Sequence, residues 1–343
     1  MNKIKFISCF LILALFASGS IFADGGSRNG TAGATQLIIP VGARGVSMSG
    51  STLTDATGVE SIYWNPANLA RGDVGTNVLF SHMNYIADIN VEYGAVSTNI
   101  EGFGSIGLSL KSLNVGSIPI TTISNPDGTG ATFTPNFSTI GLSYARLLSD
   151  RISVGITANL ISETIDLVSS TGIAFNVGIS YKNLANINGL SFAVVIKNLG
   201  PQMKYDGSGL DISAAPTTLD RGPQLYKIDA ATFELPSSLE FGLGYALNFS
   251  DAHALLLDGA FASNNFYGDE YKVGVEYGFN KMLYLRGGYD FVTNIPSDAN
   301  IYGMTAGIGI NYAVAGFSFK LDYAYRDVKY FSANHVFTVT LGF

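Results

Sequence analysis

From about residue 76 to its last residue, the chain alternates. Ile152, Val154, Ile156, Ala158 and Leu160 share one face, and Ser153, Gly155, Thr157 and Asn159 the other. Ile173, Phe175, Val177, Ile179 and Tyr181 repeat the pattern, as do Tyr271, Val273, Val275, Tyr277 and Phe279, and then Phe317, Phe319, Leu321, Tyr323 and Tyr325. A period of two is that of a β-strand whose faces meet different surroundings. Segments of about ten residues are predicted at 76–83, 90–99, 103–112, 136–147, 151–162, 171–182, 189–198, 236–247, 252–262, 269–279, 282–291, 303–313, 316–326 and 334–343. The last of these fourteen sets Phe337, Val339, Leu341 and Phe343 against Val336, Thr338, Thr340 and Gly342. Such an apolar face at an open sheet edge invites aggregation. A closed barrel has no edge, and in a bilayer its apolar face belongs outside.

The connections carry as much information as the strands. Those at 100–102, 148–150, 183–188, 248–251, 280–281 and 314–315 are short. Most of the alternate ones are longer, notably 113–135, 199–235 and 292–302. Transmembrane barrels show this asymmetry, with tight turns on the periplasmic side and long loops outside. Ten residues at ~3.3 Å, tilted about 45°, span roughly 23 Å, close to the thickness of the outer-membrane hydrocarbon layer.

Charge parity agrees. Lys272 and Glu276 lie opposite the Tyr/Val face of their strand; Lys320, Asp322 and Arg326 lie opposite the Phe/Leu/Tyr face of theirs. Lys111, Lys197, Glu240, Asp258 and Arg286 obey the same rule. Facing lipid at mid-depth, each would cost about 2–4 kcal/mol, so these charges are assigned to the lumen. Their mixed signs predict a neutralised network and not a charge-selective pore.

Composition narrows the function classes. Charged residues make up 13% of the chain, against roughly 25% in ordinary soluble domains. Lys3 and Lys5, the apolar run 7–16 and the small residues of 17–23 read as an export signal, cleaved after Ala23. Cys9, the single cysteine, lies inside that signal, so the mature chain has no disulfide. No later apolar run reaches the roughly 18 residues of a transmembrane helix. Removing Lys3 and Lys5 takes the net charge from −7 to −9, and no basic patch for nucleic acid is present.

Fourteen strands at ~4.8 Å spacing and ~40° tilt enclose a backbone radius of about 14 Å. The lumen-facing positions are largely Gly, Ser and Ala, which cannot fill it. The Gly-rich segment 24–75, which lacks alternation, is the candidate plug. It contains Gly42-Ala43-Arg44, Met48-Ser49-Gly50, Asp55-Ala56-Thr57 and Tyr63-Trp64-Asn65-Pro66-Ala67. This combination resembles the hatch of FadL-type outer-membrane barrels, and most closely their PorV/PorQ branch. Ser49 stands where that branch usually has Gly, and Asn68 where Gly often follows the motif. The resemblance implies an all-β outer-membrane barrel of 14 antiparallel strands. Its divisions are a signal at 1–23, a hatch at 24–75 and a barrel at 76–343. It also implies a type IX secretion accessory that binds or hands on exported proteins. The alternative is a FadL-like transporter of long-chain fatty acids or other hydrophobic compounds.

Arg44, Trp64, Asn65, Pro66 and Ala67 are the hatch and ligand-path candidates. Pro66 restrains Asn65 to extended backbone. Trp64 is expected to wedge against the barrel wall, and Arg44 to pair with lumen carboxylates such as Glu240 or Asp258. Phe337, Val339, Leu341 and Phe343 are expected, from the resemblance, to be read by the barrel assembly machinery. Outer-membrane lipid, secreted cargo, secretion components and hydrophobic small molecules are the other expected partners. Apolar residues at Ile118, Ile120, Phe133, Leu210, Leu219, Leu225 and Tyr226 suit either cargo or solute.

Chemistry is sparse. Gly102 to Gly107 fits GxGxxG but opens a strand, not a helix. His82, His253 and His335 lack metal-ligand spacing. No nucleophile motif is present, so neither an enzyme nor a cofactor is expected. Asp127-Gly128 and the stretch from Asp206 to Asp211 have the residues for Ca²⁺, but as Gly-rich turns they need none.

Overall fold

The computed structural model describes residues 30–72, 75–215, 222–293, 300–314 and 316–343. The export signal, residues 24–29 and Leu219 lie outside the described residues. Fourteen strands form one closed antiparallel barrel in sequence order. They are β1 (Thr76–Asn84), β2 (Asn90–Ile100), β3 (Gly104–Asn114), β4 (Asn136–Leu147), β5 (Ile152–Ile165), β6 (Val168–Lys182) and β7 (Leu190–Leu199), followed by β8 (Ser238–Asn248), β9 (His253–Asn264), β10 (Glu270–Phe279), β11 (Leu283–Val292), β12 (Tyr302–Val314), β13 (Phe317–Val328) and β14 (Asn334–Gly342). The seam closes between β1 and β14, from Asn77 opposite Gly342 to Asn84 opposite His335. Beyond β14, the Phe343 N–H donates to the Thr76 carbonyl at 2.9 Å, and its ring lies 5.6 Å from Phe317.

The apolar face of each strand points outward. In β14, Val336, Thr338, Thr340 and Gly342 are buried, whereas Phe337 and Phe343 are exposed. The ten lumen-assigned charges lie on the inner face, Arg326 among them with its side chain 11% exposed. Lys111, Lys197, Glu240, Asp258, Glu276, Arg286 and Asp322 are buried; Lys272 and Lys320 are half-buried.

Two features depart from the expected pattern. The β5–β6 hairpin is longer than predicted, pairing out to Ile165 opposite Val168 around Asp166 in the left-handed region. Here the connection expected to be loose is tight. Its extra residues, Glu163 to Ile165 and Val168 to Ser170, are apolar only at the Ile165–Val168 pair beside the turn and lack apolar alternation. The Ser169–Asp206 bridge braces them instead. Second, β7 carries a bulge. Phe175 pairs with Leu199 but Val177 with Ile196, so one extra residue sits on β7. Lys197 and Asn198 consequently both face inward, which strict alternation forbids.

Residues 30–72 cross the lumen. At the long-loop end, the Gly33 N–H donates to the Glu234 carbonyl at 3.1 Å. There Ala34 and Leu37 join Ile161, Ala174, Met203 and Leu235 in one apolar cluster. At the short-turn end, Arg71 donates to Ser153 Oγ at 3.1 Å and to the Asp150 carbonyl at 3.3 Å. Between these ends lie two short helices, α1 (Ala43–Ser47) and α2 (Ser61–Trp64), and a 3₁₀ turn at Pro66–Arg71. Helix α1 packs against β11 to β14, and the 3₁₀ turn against β3 to β6 on the opposite wall.

Candidate functional site inside the barrel

The lumen side chains of the wall are small where the segment touches them. A Cβ on Gly155 would lie 2.4 Å from the Pro66 carbonyl carbon, and one on Gly178 would lie 2.0 Å from Asn65 Oδ1. Gly242 meets Leu53, Gly274 meets Met48 and Ser51, and Gly307 meets Ser47 in the same way. Glycines on the inner face thus form the seat of residues 47–67. Gly155→Val is expected to cost about 1–3 kcal/mol by overpacking and to lift the 3₁₀ turn. Ala67→Cys, fully buried in the parent, should then react with a water-soluble maleimide only in the Gly155→Val background.

Asn65 has extended backbone (φ −152°, ψ 104°), as a residue before proline should. Its Oδ1 accepts from the Ala67 N–H at 3.1 Å, an N-cap with Pro66 at the first position. Its Nδ2 donates to the Leu53 carbonyl at 2.8 Å, and Asn68 Nδ2 donates to the same oxygen at 3.0 Å. Asn68 therefore ties the 3₁₀ turn to residue 53, a link that glycine cannot make. Ser49 lies in the left-handed region (φ 53°), where glycine carries no Cβ penalty, and its hydroxyl lies 3.0 Å from Thr305 Oγ1.

Trp64 is buried. Its indole fills a slot left by two glycines of its own segment: a Cβ on Gly45 would lie 2.3 Å from Trp64 Cε2, and one on Gly50 2.9 Å from Cζ3. Tyr63 packs edge-on against it with centroids 4.9 Å apart. The wall contributes Lys197 Nζ, 5.4 Å from the ring centroid.

Arg44 is the centre of the ion network, with different partners from those expected. Nε and Nη2 reach the two oxygens of Glu276 at 2.8 and 3.2 Å. Nη2 also bonds Asp55, and Nη1 lies 3.7 Å from Glu60. Glu276 is shared with Arg286 at 2.6 Å, which in turn donates to Asp322 at 2.5 Å. Glu240 pairs with Lys197 at 3.0 Å, while Asp258 accepts from Thr54 Oγ1 at 2.8 Å. Glu276 stands directly opposite Arg286 on the adjacent strand, so register sets that pair. Lys272 pairs with Glu270 at 2.6 Å. Asp55, Glu60 and Thr54 belong to this site but were not predicted. Their only sequence signal is position in the resembling segment.

At the long-loop end, Ile118–Pro119 pairs with Thr132–Phe133, and Asp211–Ala214 with Gln224–Lys227. Lys227 bonds Asp206, holding the Asp206 carboxyl below its ordinary range while Asp206 holds the Lys227 ammonium up. Among the described residues, no group of three His, Cys, Asp or Glu is placed to hold a metal.

Residues 23–241 match the family described as type IX secretion system protein PorV. No curated protein sequence matches. Among solved structures, the chain is similar to the CymD monoaromatic hydrocarbon channel (15% identity, TM-score 0.55, covering 89% of this chain and 97% of that one). It is also similar to the Ralstonia pickettii toluene transporter TbuX (13% identity, TM-score 0.54, covering 88% and 98%). A Pseudomonas aeruginosa FadL homologue gives 12% identity and a TM-score of 0.51, covering 89% and 98%. At these identities the likeness establishes a fold, that of FadL-like outer-membrane barrels. The family and the fold are those of secretion and transport barrels, and the chain belongs to the PorV family.

Proposed function

We propose that this protein serves type IX secretion in the outer membrane of a diderm bacterium, binding exported proteins or secretion components at its long-loop face, without catalysis. Residues 30–72 act as the hatch that closes the lumen, and the long loops face the cell exterior. Besides family membership, the observation that carries this reading is the surface of those loops. Ile118, Ile123, Ile212, Leu225, Tyr226 and Ile228 are all exposed, on or beside the loop ladders. Apolar side chains held on ordered backbone at an aqueous surface mark a protein-binding face. The assembly machinery would read Phe337, Val339, Leu341 and Phe343 on the outward face of the closing strand.

The test is recovery from gently solubilised membranes. Exported proteins or secretion components should co-purify with the parent chain and fall away with Leu225→Ser and Tyr226→Ser together. Recovery of none, with normal secretion in a deletion strain, would sink the reading. A second reading, transport of hydrophobic compounds, is favoured by the fold shared with the hydrocarbon channels. It requires labelled toluene or fatty-acid uptake to fall on deletion and on Asn65→Ala with Pro66→Ala; uptake unchanged on deletion removes it.

A further inference from the structure

We propose that a small monovalent anion, of halide or formate size, binds in the cavity between Tyr63 and the wall formed by β3 to β7. The cavity has a volume of about 30 Å³, room for about two waters or one small ion. Lys111 and Lys197 both line it and are 5% and 8% exposed. Their ammonium groups lie 4.8 and 5.3 Å from the centroid of the same Tyr63 ring. Glu240 neutralises Lys197 at 3.0 Å. Lys111 has no acidic partner among the described residues, and its one hydrogen bond to protein is to the Ile39 carbonyl.

A buried ammonium with two of its three donors unused is costly unless it gives up its proton or a counter-charge is present. Water satisfies donors but supplies no charge. Other groups point to the same ligand. Thr139 Oγ1 lines the cavity, is buried and has no hydrogen-bond partner. The β7 bulge turns Asn198 inward beside Lys197, where its amide donates to the Pro236 carbonyl at 2.9 Å and its N–H fixes the Asn176 side chain. Asn176 Oδ1 accepts from the Asn198 N–H at 2.8 Å, which leaves the Asn176 amide N–H groups as donors on the cavity lining. Ammonium, hydroxyl and amide donors on a lining that holds no carboxylate make an anion site.

The site is independent of the secretion reading, and its test uses the full mature chain in detergent. Unfolding temperature is measured in sodium bromide and in sodium gluconate at equal ionic strength. A ligand bound only by the folded state raises it logarithmically with concentration. The parent should therefore melt higher in bromide than in gluconate, and Lys111→Met should abolish the difference. Crystals soaked in bromide should show anomalous density between Lys111 and Thr139. Should Lys111→Met not assemble, Thr139→Val, which keeps shape and charge, must still shrink the difference. Equal melting in both salts, or water without bromide at Lys111, overturns the proposal, as does a halide effect that Thr139→Val leaves unchanged.

Discussion

Replacing Arg44 by methionine is expected to destabilise the segment crossing the lumen by about 3–5 kcal/mol, the range for removing one partner of a buried ion network. Arg44 faces Glu276, Asp55 and Glu60 at once. Without it, Glu276 keeps only Arg286, which is also committed to Asp322, and Asp55 and Glu60 lose the guanidinium that faces them. Methionine keeps the length of the stem, so the loss is of charge and not of packing. Arg44→Lys restores the charge but not the fork that reaches both Glu276 oxygens, and should recover only part of the loss. Two measurements check this. The heat-modified mobility shift of the barrel should move to lower temperature, and single-channel recording in planar bilayers should show openings absent from the parent. Arg44→Met with parent-like stability and conductance would mean that the network does not hold the segment.

A charge on the outer face should be nearly as costly. Ile308 is mid-strand in β12, opposite Leu285 and Tyr323, and is 54% exposed. Ile308→Arg is expected to cost about 2–4 kcal/mol in lipid, as for a cation at the bilayer midplane. Phe317→Arg, on the same outer face but at the short-turn rim, should cost about 0–1 kcal/mol because it reaches the interface. Denaturant unfolding from phospholipid vesicles gives both values. The contrast between depths is the diagnostic part: in a water-facing sheet the two substitutions would differ little. Equal, small losses would remove lipid from the outer face.

Alternation was enough to place all fourteen strands, because each wall residue faces either outward or into the lumen. The strand count, the closed order and the inward direction of Lys111 through Asp322 followed from that one physical difference. Alternation failed where it ceased to hold. The hairpin beyond Ser162 carries polar residues on both its buried face (Glu163, Ser170) and its exposed face (Thr164, Ser169), so its pairing left no apolar period to read. The bulge at Asn198 needed knowledge of the neighbouring strand, since an extra residue is defined only against a partner.

The lumen was legible in part. The motif around Tyr63 to Ala67 marked the segment that crosses the barrel, and the pre-proline rule set the backbone of Asn65. Partner choice was not legible. Arg44 faced several carboxylates of the right parity, and chain position alone gave no reason to prefer Glu276 over Glu240 or Asp258. The slot that holds Trp64 was equally hidden, since it is made by the absence of side chains at Gly45 and Gly50.

By itself the sequence determined which face of every strand could tolerate charge, how many strands the chain could form, and where regular alternation was missing. Those are properties of single residues and their immediate neighbours in the chain, and they depend on transfer between solvents. The tertiary structure alone decided which charges meet, which glycines admit the crossing segment, and where an unpaired lysine is left beside a cavity. Those depend on register and close approach across the barrel, among residues hundreds of positions apart.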